Sequence, residues 1–144
     1  MVYEKLFLAL LGASAAHGQA SRVVFGDLQL TDGQPKILYI LNRGDGIVQK
    51  DLASLCGVKQ STMTGILAKM ERDGLIYKES CYVSGMKRAY KIFLSDHGKD
   101  MADILEVEID RLEEKGFKDF SDDEKAVLLK LLSKVEENMK NIDK

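Results

Sequence analysis

Gln60, Ser61, Thr62 and Thr64 stand together at the start of one helical run, with Lys59 before them and Gly65 and Lys69 after. Amides and hydroxyls at this spacing can donate to and accept from the edges of nucleic-acid bases. The set is small, polar and free of acids. A second cationic pair, Lys87-Arg88, lies farther along in a predicted hairpin. Such groups suit phosphates. Rival chemistry is missing from the chain. It holds two histidines, His17 and His97, and no ligand-spaced pair, so no metal is expected. Gly12, Gly18 and Gly26 are too scattered for a phosphate cradle. The acids between positions 106 and 114 read as a solvated helix face. No nucleophile–base pair is present, so no catalytic residue, no cofactor and no enzyme are expected.

Those residues need a frame, and Val48 to Leu94 supplies it. A short helix places Leu52 and Leu55 on one face with Ala53 beside it. Gly57 turns the chain, where a left-handed backbone costs glycine little. A longer helix follows with Met63, Ile66, Leu67 and Met70 at three- and four-residue spacing, one buried stripe. Asp73-Gly74 ends it. Leu75 to Glu79 and Arg88 to Leu94 read as strands, joined by a loop from Ser80 to Lys87. Tyr90, Ile92 and Leu94 alternate with Ala89, Lys91 and Phe93. Gly46-Ile47-Val48 adds a short third strand. This is a helix-turn-helix followed by a β-wing. The fold class is mainly α with a small β-wing (α+β).

The flanks are helical. Val2 to about Phe25 is apolar nearly all round at Leu6, Phe7, Leu8, Leu10 and Leu11, as in a helix buried on more than one side. Lys5 and the run after it resemble a short signal peptide, but Glu4 cancels the charge and the run is too short to span a membrane. A helix that meets a partner is the expectation, with no membrane involved. Thr31 and Gln34 form a T-x-x-Q capping box before Pro35, and Ile37, Leu38 and Leu41 give the next helix its apolar face. After the wing, Ser95 caps a long helix with a stripe of Met101, Ile104, Leu105, Ile109 and Leu112. Gly116 breaks it. Ser121 to Glu124 is a capping box for the last helix. That helix carries Leu128, Leu131, Leu132, Val135, Met139 and Ile142, more apolar surface than a terminal helix needs unless it meets something.

The 144 residues suffice for one domain with a core. Net charge is −2, which taken alone argues against nucleic acid. The distribution decides otherwise. Ile47 to Phe93 holds eight Lys/Arg against four acids, whereas Lys99 to Lys144 holds nine against fourteen. A basic reader joined to an acidic body can steer toward phosphates without a basic protein overall. The two cysteines, Cys56 and Cys81, are not paired as CxxC, which fits a reducing, cytoplasmic setting.

With these pieces in order, the chain resembles the MarR family of winged-helix transcription regulators. The matching segments are L-T-D-G-Q at 30–34, Q-K-D-L-A at 49–53, G-V-K-Q-S-T-M-T at 57–64, M-E-R-D-G-L-I at 70–76 and R-A-Y-K-I-F-L-S-D-H-G at 88–98. The resemblance implies a homodimer on near-palindromic double-stranded DNA, its two readers about one helical turn apart, roughly 34–36 Å. It implies a dimerisation region of residues 1–31 and 95–144 and a DNA-binding region of 32–94, within one compact domain. Gln60, Ser61, Thr62 and Thr64 match major-groove and phosphate positions, and Arg88 matches the wing arginine of the minor groove. A small aromatic or anionic effector commonly loosens DNA in the family, so a repressor is expected. Position suggests His17, Arg22, Tyr39 and Met101 as a pocket for it.

The chain departs from the family pattern twice. Met86 stands where an acid often positions the wing arginine, and Gly65 stands where arginine is usual. The rival readings are an oxidation sensor acting through a thiol and a protein-interaction module that has abandoned DNA. The first lacks a cysteine near the N-terminal helix, and the polar face at 60–65 argues against the second.

Overall fold

Helix α4 (Gln60–Arg72) lies at the centre of the reading region, because its stripe is the best-buried apolar row in the chain. Met63, Leu67 and Met70 are fully buried, and Ile66 is partly so. The computed structural model describes residues 4–142. Val2 and Tyr3, where the first helix is expected to begin, lie outside the described residues, as do the last two residues of the chain. The remaining elements are α1 (Leu6–Gly26), α2 (Gln34–Arg43), β1 (Ile47–Val48), α3 (Gln49–Cys56), β2 (Ile76–Val83), β3 (Lys87–Leu94), α5 (Asp96–Gly116) and α6 (Asp122–Lys140). Mostly helical, with one small antiparallel sheet, this is a winged helix.

The sheet order is β1-β3-β2. β3 is central, with Ile47 opposite Ile92 and Ile76 opposite Leu94. Ile92 and Leu94 enter the core, but Tyr90 is exposed, so the inward alternation stops where the wing leaves the body. The strands run farther than the sequence suggests. β2 continues to Val83 and β3 begins at Lys87, so the expected loop shrinks to a tight turn at Ser84–Met86. Cross-strand hydrogen bonds carry Ser80 to Val83 into the ladder, and that pairing has no local signature.

Gly57 closes α3 at φ 68° and ψ 31°, the left-handed turn expected there. α3 corrects one expectation. Leu52, Ala53 and Cys56 are buried, whereas Leu55 is 59% exposed. The buried line advances from Leu52 to Cys56, one turn on, and Leu55 falls beside it. Lys36 donates to the Cys56 carbonyl at 2.6 Å, so α2 ties down the end of α3.

The box before α2 is half formed. Gln34 reaches back with Oε1 to the Thr31 N–H at 3.1 Å, but the N-cap is Gly33, and no side chain caps the helix. Gln34 is itself buried. Gly33 adopts φ 89°, and a Cβ there would lie 2.8 Å from Ile66 Cδ1, so glycine lets α2 start against α4. Ser95 does cap α5, accepting from Gly98 N–H at 2.9 Å. Gly98, Ala102 and Leu105 form the buried side of α5. Ile104, expected in that stripe, is exposed, since the close approach of Gly98 to the Leu75 carbonyl turns the line of Gly98, Ala102 and Leu105 inward. The Ser121–Glu124 box is present in both directions.

The chain divides into two compact units, one ending at Asp110 and the other starting at Arg111. In the first, α1 buries none of its residues, and Leu6, Phe7, Leu8, Leu10 and Leu11 are exposed. In the second, α6 likewise buries none, and Val127, Leu129, Leu131, Leu132, Val135 and Met139 are exposed. Among the described residues no helix is long and apolar enough to cross a membrane.

Candidate nucleic-acid interface

The outward side of α4 follows from its inward side. With Met63, Leu67 and Met70 buried, the opposite line runs through Ser61, Gly65 and Arg72, flanked by Gln60, Thr62 and Thr64. All of these are exposed. Gly65 sits in the middle of that line with nothing within 4 Å of where a Cβ would be. The centre of the face is therefore bare backbone, which lets another surface come close.

The sequence-predicted residues do not all stand in the same way. Gln60, Ser61 and Thr62 form the exposed leading turn, with Lys59 as the N-cap. Thr64 is engaged inside the protein: its hydroxyl donates to the Gln60 carbonyl and accepts from Gln49 Nε2, both at 2.9 Å. It braces the first residue of α3 against α4. Lys69 turns toward α2, where Nζ donates to Thr31 Oγ1 at 3.3 Å. The ammonium thus marks the flank of the reading face.

The wing brings the second cationic group. Pairing places Ser80 opposite Tyr90 and Tyr82 opposite Arg88, all on one face. Arg88 Nη2 donates to Ser80 Oγ at 3.1 Å, and the guanidinium carbon lies 5.7 Å from the Tyr90 ring centre. Lys78 approaches the same ring at 5.8 Å. Lys87 and Met86 are exposed at the tip, where Met86 has φ 61° and Gly85 φ 75°. On the opposite face Tyr77 stacks on Phe93 with centres 5.3 Å apart, stiffening the root. Sequence reading missed Gln49, Ser80 and Tyr90. Their roles come from pairing register and helix docking, and only the period-two pattern of β3 hinted at Tyr90.

Of the four residues suggested for a pocket, one lines a cleft. An open cleft of about 270 Å³ is lined by Leu28, Gln29, Leu30, Asp73, Leu75, His97 and Met101, so Met101 alone of the four lines it. His17 and Arg22 are exposed on α1. Tyr39 carries the Arg43 guanidinium 3.6 Å over its ring. Arg43 is paired with Glu106, and Asn42 donates to Asp103 at 3.1 Å and to Glu106 at 3.2 Å. The hydrogen bond from Arg43, then that from Asn42, holds the Glu106 carboxyl below its ordinary range. Cys56 is buried, and that burial pushes its thiol up and keeps it protonated. Cys81 is partly exposed on the wing. No group of three or more potential metal ligands occurs among the described residues.

The model of the MarR family matches residues 30–82. The HTH-type transcriptional regulator YybA of Bacillus subtilis is 30% identical over 119 residues, 83% of this chain and 78% of that protein. The homoprotocatechuate degradative operon repressor of Escherichia coli is 34% identical over 77 residues, 54% of this chain and 52% of the repressor. A MarR family regulator from Listeria monocytogenes, solved with a 26mer DNA, superposes with a TM-score of 0.83 at 23% identity, covering 95% of this chain and 90% of that one. At that identity the likeness is one of fold.

Proposed function

The chain belongs to the MarR family of transcriptional regulators, with a DNA-binding winged helix, and from that premise we propose that it is a repressor that grips palindromic operator DNA as a homodimer. The observation that carries the reading is the α4 face. It is polar and bare at its centre, and its leading turn, Gln60 to Thr64, has no acid. In the major groove, Gln60, Ser61 and Thr62 meet base edges while Thr64 keeps the helix at its angle. Lys59 and Lys69 lie along flanking phosphates. Lys87 and Arg88 reach the neighbouring minor groove, where a narrow A·T-rich stretch concentrates negative potential.

Dimerisation is supported by the uncovered apolar side chains of α1 and of α6. A monomer in water rarely leaves so many large side chains open. Residues 1–31 and 95–144 form the dimerisation region in this reading, and 32–94 the reader. A small aromatic or anionic effector loosens the complex. The likeness to a repressor of homoprotocatechuate degradation supports that chemistry, and His17, Arg22, Tyr39 and Met101 stay the candidates for its pocket. The protein acts in the cytoplasm.

Selection of bound duplexes from a random pool, followed by titration of the recovered duplex at several salt concentrations, tests this. The expected result is a two-fold symmetric site, one dimer per duplex, and an affinity that falls steeply with salt. A monomer in solution, or an affinity flat across salt, overturns it.

A further inference from the structure

We propose that Ser80 and Tyr90 are positioning residues for Arg88, holding its guanidinium against one face of the wing with neutral groups alone. The proposal rests on the reading of Arg88 as a DNA contact. Its grounds are geometric. Antiparallel pairing sets Ser80 directly opposite Tyr90 and sets Arg88 two pairs nearer the tip, so all three side chains share a face. The hydroxyl takes one edge of the guanidinium at 3.1 Å, and the ring lies 5.7 Å from its centre, inside the range of cation–π attraction. Among the described residues Arg88 makes no ion pair.

The chemical consequence follows from the neutrality of both partners. A free arginine on an exposed strand samples many rotamers and must surrender that freedom on entering a groove. A carboxylate could restrain it, but would also cancel much of its field and would have to be broken off before the groove could take its place. A hydroxyl and a ring restrain the side chain and leave the full positive charge facing outward. The Tyr90 ring also carries Lys78 at 5.8 Å, so two cations from adjacent strands share one aromatic support on one face of the sheet. The turn residue Met86 takes no part in this restraint. The support comes from across the strands.

The test uses the full chain, the duplex recovered by selection, and a second duplex whose flanks are changed from A·T to G·C. Ser80→Ala and Tyr90→Leu are each expected to weaken binding to the A·T-flanked duplex by roughly three- to tenfold, the scale of one lost hydrogen bond. The salt slope should stay unchanged, because no charge is removed. The A·T preference should shrink. In an Arg88→Ala background the same two changes are expected to add nothing. Ser80→Thr, which keeps the hydroxyl, should restore affinity, and this separates restraint from a general loss of strand stability. Additive losses in the Arg88→Ala background overturn the proposal, as does full affinity in both single variants while Arg88→Ala weakens binding. If Arg88→Ala itself changes neither affinity nor salt slope, the reading of Arg88 as a DNA contact fails first, and the proposal with it.

Discussion

Helices α4 and α1 both carry rows of large apolar side chains, and their surroundings differ. In α4, Met63, Leu67 and Met70 are sealed inside the first unit against α3 and the sheet, and the polar face is left outward. In α1, Leu6, Phe7, Leu10 and Leu11 are open, and no residue is buried. A helix whose apolar side is closed by its own chain is a finished part, shaped once and presenting a fixed surface. A helix whose apolar side is open is a half-interface. In the proposed function, the contrast separates the reading of DNA from the assembly of two readers.

The sharpest break of that contrast comes from α4. Leu67→Ala should cost about 2–5 kcal/mol, because it empties a site with no exposed side. Chemical denaturation should show the loss equally at every protein concentration. Phe7→Asp with Leu11→Asp should do the reverse. Sedimentation should report a monomer and DNA affinity should fall on the order of a hundredfold as the two readers uncouple, with little change to the fold of residues 34–105. An unaltered sedimentation coefficient would sink the half-interface reading.

Gly65→Arg sharpens the same contrast from the finished side. The position is open, and arginine is a better helix former than glycine by roughly 0.8 kcal/mol. Affinity for DNA should rise about tenfold, with a salt slope steeper by about one unit. Equal affinity across salt would mean that the centre of α4 does not approach phosphate. The smallest effect is expected at Glu106, whose pair with Arg43 is largely exposed. Its carboxyl is held below the ordinary 4.5 by hydrogen bonds from Arg43 and Asn42. A lowered value means stability that is present above the unfolded pKa and lost as the pH falls through the folded one. Glu106→Gln should therefore flatten the acid side of the Tm profile below pH 4.5. Profiles that run parallel through that window count against the pair.

What could be read from the sequence was what local rules govern. The left-handed Gly57, the α4 stripe, the Ser121 box and the two-residue β1 each follow from spacing and backbone preference. The misses share a cause: partners distant in sequence. Leu55 points out because the short α3 has one buried line, and that line ends on Cys56. Thr31 gives up its capping role, and its hydroxyl accepts from Lys69, thirty-eight positions away. Thr64 is legible as a polar residue on the right face, but its brace to Gln49 appears only once α3 docks. Arg88 was visible as a wing cation. Its restraint by Ser80 depends on pairing register, which the expected loop at Ser80–Lys87 concealed.

The root of α5 has a mechanical consequence. Gly98 presses so tightly on the Leu75 carbonyl that an added Cβ would sit 1.9 Å from its oxygen, while Ser95 bonds both Leu75 and Gly74. The joint has no slack, so the first turn of α5 and the turn that ends α4 are clamped into one piece. Any side chain larger than hydrogen at position 98 would have to prise the start of α5 away from the turn that follows α4.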